Sequence, residues 1–446
     1  MPPPVRIGLL GCGVVGAGFL RLAAERTRAI EDAVGAPLVV TRLAVREPAK
    51  RRSVDLNGIS VGVDPMAVAD AEDVDVLVEL MGGADAAYPP VRRALERGRP
   101  VVTANKHLIA LHGDELEALG SASGASLRYE ASVAGVIPIL QSLDHGLRTE
   151  RFTLLVGILN GTTNYILSTM EREGRDFAEA LDAARELGFA EADPSLDLSG
   201  ADTAQKLTIL ARHAFRVPAP HGSMPTEGIV GMELEDLKQA DRFGYIVKLL
   251  GIGLRTPAGL DLRVHPAFIP KRYLLASVRD EFNAVYLRGE ASGSMMFYGK
   301  GAGALPTAQA VLGDVMAVAR EARLRGVPPA GATSAADTAG ASAPRRRSGS
   351  QTAEDERISL DDIQTRYYIR LLVEDQTGVL AQIAHRLGAA RVSVAQMFQA
   401  PGHRGEAEIT ILTHEARDRD ARDAVKGIAA LPSVRRAPRA IRIFDV

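Results

Sequence analysis

The stretch "AEADPSLDLSGADTAQKL", residues 190–207, gathers Glu191, Asp193, Asp197 and Asp202 just ahead of Lys206. Carboxylates so placed can hold an ammonium group. A lysine ammonium can give a proton to an oxygen that becomes an alkoxide, or neutralise charge on it. Asp202 and Lys206 are four residues apart, so a helix puts them on one face. The ordinary alternative is a solvated helix start with an exposed ion pair worth about 0.3–0.5 kcal/mol. That alternative leaves Glu191, just ahead of the rigid Pro194, without a purpose. It also ignores the apolar stripe Leu207, Leu210, Ala211 and Ala214, which can bury the lysine stem. Both readings stay open on the residues alone.

A second constellation is the G-x-G-x-x-G of "GLLGCGVVG", Gly11, Gly13 and Gly16. Gly11 permits the tight turn, Gly13 leaves room for a pyrophosphate, and Gly16 lets strand and helix pack, with the phosphates at the helix N-terminus. A strand–helix turn without a ligand is the alternative. The next strand ends in "LAVREPAKRR", where Arg46 comes first, Glu47 follows, and Lys50, Arg51 and Arg52 complete a cationic cluster. Such a cluster suits a 2′-phosphate, so NADP is expected, while Glu47 keeps NAD open. Cys12 reads as a small residue facing the first helix or the cofactor, not as a nucleophile. Lys106, in "TANK", follows a strand at the edge where parallel sheets bind ligands, or else caps the next helix. In "NGTTNYI", Asn160 and Gly161 form a turn, and Thr162 or Thr163 caps a helix. His107 and His145 read as structural. No His/Asp/Glu grouping has zinc spacing, so no transition metal is expected.

These groups need a scaffold. The first 110 residues alternate strands ("VRIGLLG", "PLVVTRLAV", "DVDVLVELMG", "RPVVTANK") with helices ("VVGAGFLRLAAERT", "YPPVRRALERG"). Alternation predicts a parallel sheet with helices on both faces. From residue 126 a mixed α/β pattern runs to about residue 300, with "RFTLLVGI", "LDLRVHPAFIP" and "FNAVYLRGE" as strands. "GKGAGALPTAQAVLGDVMAVAREARL" is a Gly turn and a long helix. Residues 327–362 are rich in Ala, Ser, Gly, Pro and charge, which predicts a flexible linker whose "PRRR" is linker charge. The remainder reads as βαββαβ, a small α+β unit.

The chain has 446 residues, 46% of them apolar, and a net charge of −2. Two or three domains with ample cores follow, and neither a nucleic acid nor an anionic membrane is an expected partner. The single cysteine rules out an intramolecular disulfide and fits a reducing cytosol. The start "MPPPVRIGLLG" lacks a signal-peptide layout, and no apolar run approaches the ~18–20 residues of a membrane span. A cytoplasmic protein is expected.

"GCGVVG", "VVTANKHLIA", "YEASVAGVIPIL", "GILNGTTNYIL", "LGFAEADPSLDLSGADTAQKLTILA" and "MFYGKGAG" followed by "PTAQAV" together resemble the homoserine dehydrogenase family. "YYIRLLVEDQTGVLAQIA" resembles an ACT domain. The resemblance implies a Rossmann-type nucleotide domain (1–136 with 301–326), a mixed α/β substrate and dimerisation domain (137–300), a flexible linker (327–364) and a ferredoxin-like ACT regulatory domain (365–446). It implies NAD(P)-linked interconversion of L-aspartate 4-semialdehyde and L-homoserine, in threonine, methionine and isoleucine biosynthesis. Lys206 would be the proton donor and Lys106 would lie near nicotinamide and substrate. Glu191 and Asp202 would hold the substrate ammonium, with Asp197 close by. The nucleotide would meet Gly11, Gly13, Val14, Val15, Gly16, Arg46, Lys50, Thr103, Lys106 and Gly303. A sodium ion would sit on Glu130 and the carbonyls of Val133, Gly135 and Ile137.

ACT domains usually carry Pro where Thr377 stands. An amino-acid effector, threonine by product logic, remains the expectation, against a module that only dimerises. A homo-oligomer is expected because the apolar strands of the middle domain need covering. With no kinase-like segment ahead of the first strand, a single activity is expected. Two rivals remain. Aspartate-semialdehyde dehydrogenase chemistry needs a cysteine nucleophile, for which Cys12 is badly placed. A non-catalytic sensor of NADP and an amino acid would not need both Lys106 and Lys206.

Overall fold

A computed structural model describes residues 2–217, 224–324, 357–402 and 405–445. The chain divides into two units. The first comprises Met1–Glu150, Thr208–Gly222 and Phe297–Ser350. It is built on β1 (Val5–Leu10), β2 (Leu38–Ala44), β3 (Ser60–Gly62), β4 (Val76–Glu79), β5 (Val101–Thr103) and β6 (Leu127–Arg128). Their order is β3-β2-β1-β4-β5-β6, and every pairing is parallel. The order reverses between β1 and β4, and in such sheets the ligand crevice lies at the strand C-termini there. β4 is buried throughout and β1 over its last four residues, as expected for strands covered on both faces. One face packs Ile7, Leu9, Phe19 and Leu22 with Val311 and Val315 of the helix Ala304–Leu324. The other packs Leu10, Leu77, Val91, Leu95 and Leu108. A Cβ on Gly18 would stand 3.0 Å from the Ala304 carbonyl oxygen, so glycine there allows the helix Val14–Glu25 its close approach.

The second unit comprises Arg151–Leu207, Ser223–Met296 and Gln351–Val446. Its strands are β7 (Phe152–Ile158), β8 (Tyr245–Thr256), β9 (Gly259–Pro270), β10 (Phe282–Gly289), β11 (Gly293–Lys300), β12 (Gln364–Glu374), β13 (Val394–Pro401), β14 (Glu406–Thr413), β15 (Ala416–Arg417) and β16 (Val434–Ile443). They run in the order β11-β10-β7-β8-β9-β16-β12-β14-β13, with β15 off this path against β12. β8 and β9 form a hairpin paired from Tyr245↔Pro270 to Thr256↔Gly259. β9 is buried at every position and β8 from Ile246 to Gly253. These strands are covered within the chain, so they do not themselves call for a second copy.

β12, the helix Val379–Ala389, β13, β14, the helix Asp418–Ala429 and β16 make the expected βαββαβ unit. Its own core includes Ile369, Leu371, Ile383, Ile409, Ala424 and Ile428. A seam that no local motif announces joins it to the middle region. β16 runs parallel to β9, pairing Arg442 with Ala267 and Ile443 with Phe268. Tyr368 stacks on Phe268 with ring centroids 4.6 Å apart, and Arg370 donates to Asp236 and Glu233 at 2.8 Å each. Of the expected linker, residues 327–356 lie outside the described residues. Its end is anchored: Arg357 bridges Leu260, and the Ile358 N–H donates to the Leu260 carbonyl at 3.1 Å.

Candidate active site

The acid-rich stretch folds around one amide. β7 runs out at Ile158, and Asn160 caps the helix Gly161–Glu173. Its Oδ1 accepts from the Thr163 N–H at 2.8 Å and the Thr163 hydroxyl at 2.9 Å. The cap expected of Thr162 or Thr163 is therefore made by Asn160, whose longer side chain reaches both ways. Its Nδ2 donates to Asp197 at 2.6 Å and Asp202 at 2.8 Å, and the Thr162 hydroxyl donates to Asp197 at 3.3 Å. Asp202 opens the helix Ala201–Phe215, with Lys206 one turn on. Lys206 Nζ donates to Asp202 Oδ2 and to the Leu159 carbonyl, both at 2.7 Å.

Lys206 is 8% exposed and Asp202 4%, which disposes of the solvated ion pair. A buried pair persists only when further hydrogen bonds satisfy it; here Asn160 and the Leu159 carbonyl do so. Asp197, on the short helix Ser195–Leu198, is half-buried, and Glu191 is exposed on the turn before it. Asp193 is spent locally, accepting from the Ser195 N–H at 3.1 Å.

In the first unit the glycine loop has the shape its spacing implies. Gly11 has φ +93°, and a Cβ there would stand 2.6 Å from the Leu80 carbonyl oxygen. A Cβ on Gly16 would stand 2.5 Å from the Gly11 carbonyl, whereas one on Gly13 would meet nothing within 4 Å. The helix beginning at Val14 has no side-chain cap. Gly13 and Val14 are exposed at this uncapped start, a fit for a pyrophosphate. Val14 is 72% exposed, and Val15 is half-buried.

Arg46 and Lys50 are exposed just beyond β2, with no ion pair to either among the described residues. Arg52 departs from the cluster: it donates to the carbonyls of Glu47 at 2.9 Å and Lys50 at 2.7 Å, bracing the turn. Burial pushes the Cys12 thiol up, which suits a packing residue.

The "TANK" segment hangs on a residue that no motif marks. Glu79, buried at the end of β4, accepts from the Thr103 hydroxyl at 2.6 Å and the Met81 N–H at 2.7 Å. Burial pushes its carboxyl up. Thr103 Oγ1 in turn accepts from the Asn105 N–H at 2.9 Å. Asn105 caps the helix Lys106–Ser123 through the Leu108 N–H at 3.1 Å. Half-buried Lys106 thus starts a helix whose entry is fixed from below. The Thr103 hydroxyl is committed inward, and the residue is fully buried. Gly303, at φ +122°, immediately precedes the helix Ala304–Leu324.

Glu130 is buried; its two carboxylate oxygens accept from the Leu140 N–H at 2.8 Å and the Gln141 N–H at 2.7 Å. Its own N–H donates to Asp314 at 2.8 Å. Burial pushes Glu130 up to about 7 and Asp314 up to about 6. Ala134 and Gly135 have φ +56° and +61°, so the chain turns sharply between Val133 and Ile137. A Cβ on Gly135 would stand 2.5 Å from the Lys300 carbonyl. The Ile137 carbonyl accepts from the Ile139 N–H at 2.8 Å. The donors that the resemblance names for sodium are all oxygen, the ligand type of a hard cation, and both Glu130 oxygens already accept backbone N–H groups. Among the described residues no three His, Cys, Asp or Glu side chains group to hold a metal, and no helix is long and apolar enough to cross a membrane.

Three family models match: homoserine dehydrogenase over residues 138–316, the homoserine dehydrogenase NAD-binding domain over 11–130, and the ACT domain over 367–432. A homoserine dehydrogenase of Neisseria gonorrhoeae is 37% identical, covering 99% of this chain and 98% of its own. That of Bacillus subtilis is 36% identical, with 98% of each chain covered. The chain belongs to the homoserine dehydrogenase family. The crystal structure of a homoserine dehydrogenase from Thiobacillus denitrificans matches with a TM-score of 0.88 at 37% identity, covering 99% of this chain and 98% of that one. The protein is an NAD(P)-dependent oxidoreductase with a nicotinamide-nucleotide domain and a C-terminal ACT domain. As a homoserine dehydrogenase it interconverts L-aspartate 4-semialdehyde and L-homoserine, and the non-catalytic sensor is not favoured.

Proposed function

We propose that the network of Lys206, Asp202, Asn160 and Asp197 is the reaction centre of this homoserine dehydrogenase. Asp197 and Asp202, oriented by Asn160, take the substrate ammonium, and Glu191 adds a third carboxylate from its exposed turn. Lys206 gives its proton to the aldehyde oxygen in reduction and receives it in oxidation. Asp202, 2.7 Å away, holds that ammonium in place. Bound nicotinamide supplies or accepts the hydride. Lys106, at the start of its helix, orients the carbonyl. Gly11, Gly13, Val14, Val15, Gly16, Thr103 and Gly303 line the nucleotide's path, while Arg46 and Lys50 answer a 2′-phosphate, so NADP is the preferred cofactor. Glu130, with the carbonyls of Val133, Gly135 and Ile137, holds sodium. The ACT module takes an amino-acid effector, threonine, and the enzyme works in the cytoplasm.

The observation that carries this reading is the burial of Lys206 against Asp202, which Asn160 holds in turn. Steady-state oxidation of homoserine with NADP and with NAD, with and without threonine and sodium, tests it. Turnover should favour NADP, and Arg46→Ala should erode that preference. A wild type that binds nucleotide tightly yet leaves homoserine untouched would sink the reading.

A further inference from the structure

The last strand of the ACT module is tied to the segment that packs against the acid-rich turn. On β16, Arg442 is buried and donates to Asp418 of its own module at 2.8 Å. The same guanidinium donates to Glu227 at 2.8 Å. Glu227 is not loose. Its N–H donates to the Val264 carbonyl at 2.8 Å, and the Val264 N–H donates to Pro225 at 2.9 Å. Segment 225–227 is thereby pinned to β9, the strand that β16 also pairs with.

The next two residues press on the acid-rich turn. A Cβ on Gly228 would stand 1.9 Å from the Leu198 carbonyl and 2.6 Å from the Ser199 backbone. The Ile229 N–H donates to the Leu198 carbonyl at 2.9 Å. From the other side, Gly200, at φ +82°, leaves room for Glu227: a Cβ there would stand 3.2 Å from the Glu227 carbonyl. Asp197 immediately precedes Leu198, so its placement against Asn160 depends on this backbone-to-backbone contact.

We infer that Glu227, clamped by Arg442 and carrying Gly228 against Leu198, is a positioning residue for substrate binding, so that the ACT module braces the substrate site directly. The inference rests on the proposed role of Asp197. Its consequence is selective. Loosening Glu227 lets Asp197 drift while Lys206 and the nucleotide domain keep their own anchors. A small misplacement of a binding group costs up to about 10²-fold. A group that binds substrate and transition state alike registers in KM rather than kcat.

The test uses the full-length enzyme with Glu227→Gln, whose side chain is half exposed and poses little risk to folding, and Glu227→Ala beside it. Homoserine KM should rise about 10-fold in each, with kcat, nucleotide KM and melting temperature within about twofold or a few degrees of wild type. Glu227→Asp should recover part of the loss. A wild-type homoserine KM in both folded variants overturns the inference. So does a general loss across kcat, both KM values and melting temperature, which marks a merely structural contact. Absence of turnover in the wild type itself would instead strike the proposed function, so the two failures are distinguishable.

Discussion

Among the described residues two lysines are buried in the second unit, Lys206 beside Leu159, just ahead of the helix Gly161–Glu173, and Lys248 against that helix. Lys206 meets a carboxylate, Asp202, at 2.7 Å. Lys248, in mid-β8 and 0% exposed, donates instead to the neutral Asn164 Oδ1 at 2.7 Å, the Val278 carbonyl at 2.6 Å and Ser168 Oγ at 3.5 Å. Burial pushes the Lys248 ammonium down to about 7. Even the amides are matched: Asn160 serves the acids around Lys206, and Asn164, one turn on, serves Lys248. The difference lies in the partner: a carboxylate in contact favours a charged neighbour, whereas carbonyls and amides leave burial free to weaken the charge, as at Lys248. Under the proposed function the first arrangement serves chemistry and the second fastens a backbone.

The comparison can be broken most sharply at Lys206. Lys206→Ala should lower kcat by about 10²–10⁴-fold, the range for a positioned proton donor, while nucleotide affinity measured by fluorescence titration stays near wild type. A variant keeping a tenth of wild-type turnover would remove Lys206 from the chemistry.

Asp202→Asn gives Lys206 the neutral surroundings of Lys248. It also removes a carboxylate proposed to hold the substrate ammonium, so homoserine KM should rise about 10–100-fold, the loss of a hydrogen bond between charged groups. A wild-type KM would take Asp202 out of substrate binding.

Lys248→Met should do the reverse, sparing turnover and costing stability. Its folded pKa, about 7, lies below the ordinary lysine value of 10.5. Between those values the unfolded chain binds the extra proton, so this group's contribution to wild-type stability rises with pH. The variant loses that rise and strands the Val278 carbonyl and Asn164. Its deficit should therefore be largest near pH 10, about 1–3 kcal/mol, and smallest at or below pH 7. Denaturant melts across that range check the sign.

The smallest effects separate the two amides. Asn160→Ala should raise homoserine KM about 10-fold, the loss of a hydrogen bond to a charged group, and cost about 1 kcal/mol of stability through the lost helix cap. Asn164→Ala should lower the melting temperature with KM near wild type. Reversed outcomes would mean that the two ends of the helix have been assigned the wrong way round.

Much of this was legible in the residues. The glycine loop, the alternation of the first 110 residues and the βαββαβ tail rest on local spacing, and the structure keeps all three. The Asp202–Lys206 pair was legible as a helical pair, but not its burial. β8 was harder to see, because "YIVKLLGIGLRT" lacks alternation and carries a lysine in its middle. Glu79 lies under the "TANK" segment with nothing in the chain to mark it.

By itself the sequence determined the family, the fold class and the residue types of the site, because periodicity, glycine at turns and carboxylate spacing act over a few residues. The tertiary structure alone decided who is paired with whom. Asp314 meets Glu130 across 184 residues and Arg442 meets Glu227 across 215. Such contacts depend on how sheets register and helices pack, and no short stretch of chain encodes that. Burial has the same origin. It makes one lysine a partner of Asp202 and leaves the other held by carbonyls and an amide, a distinction invisible in two letters K.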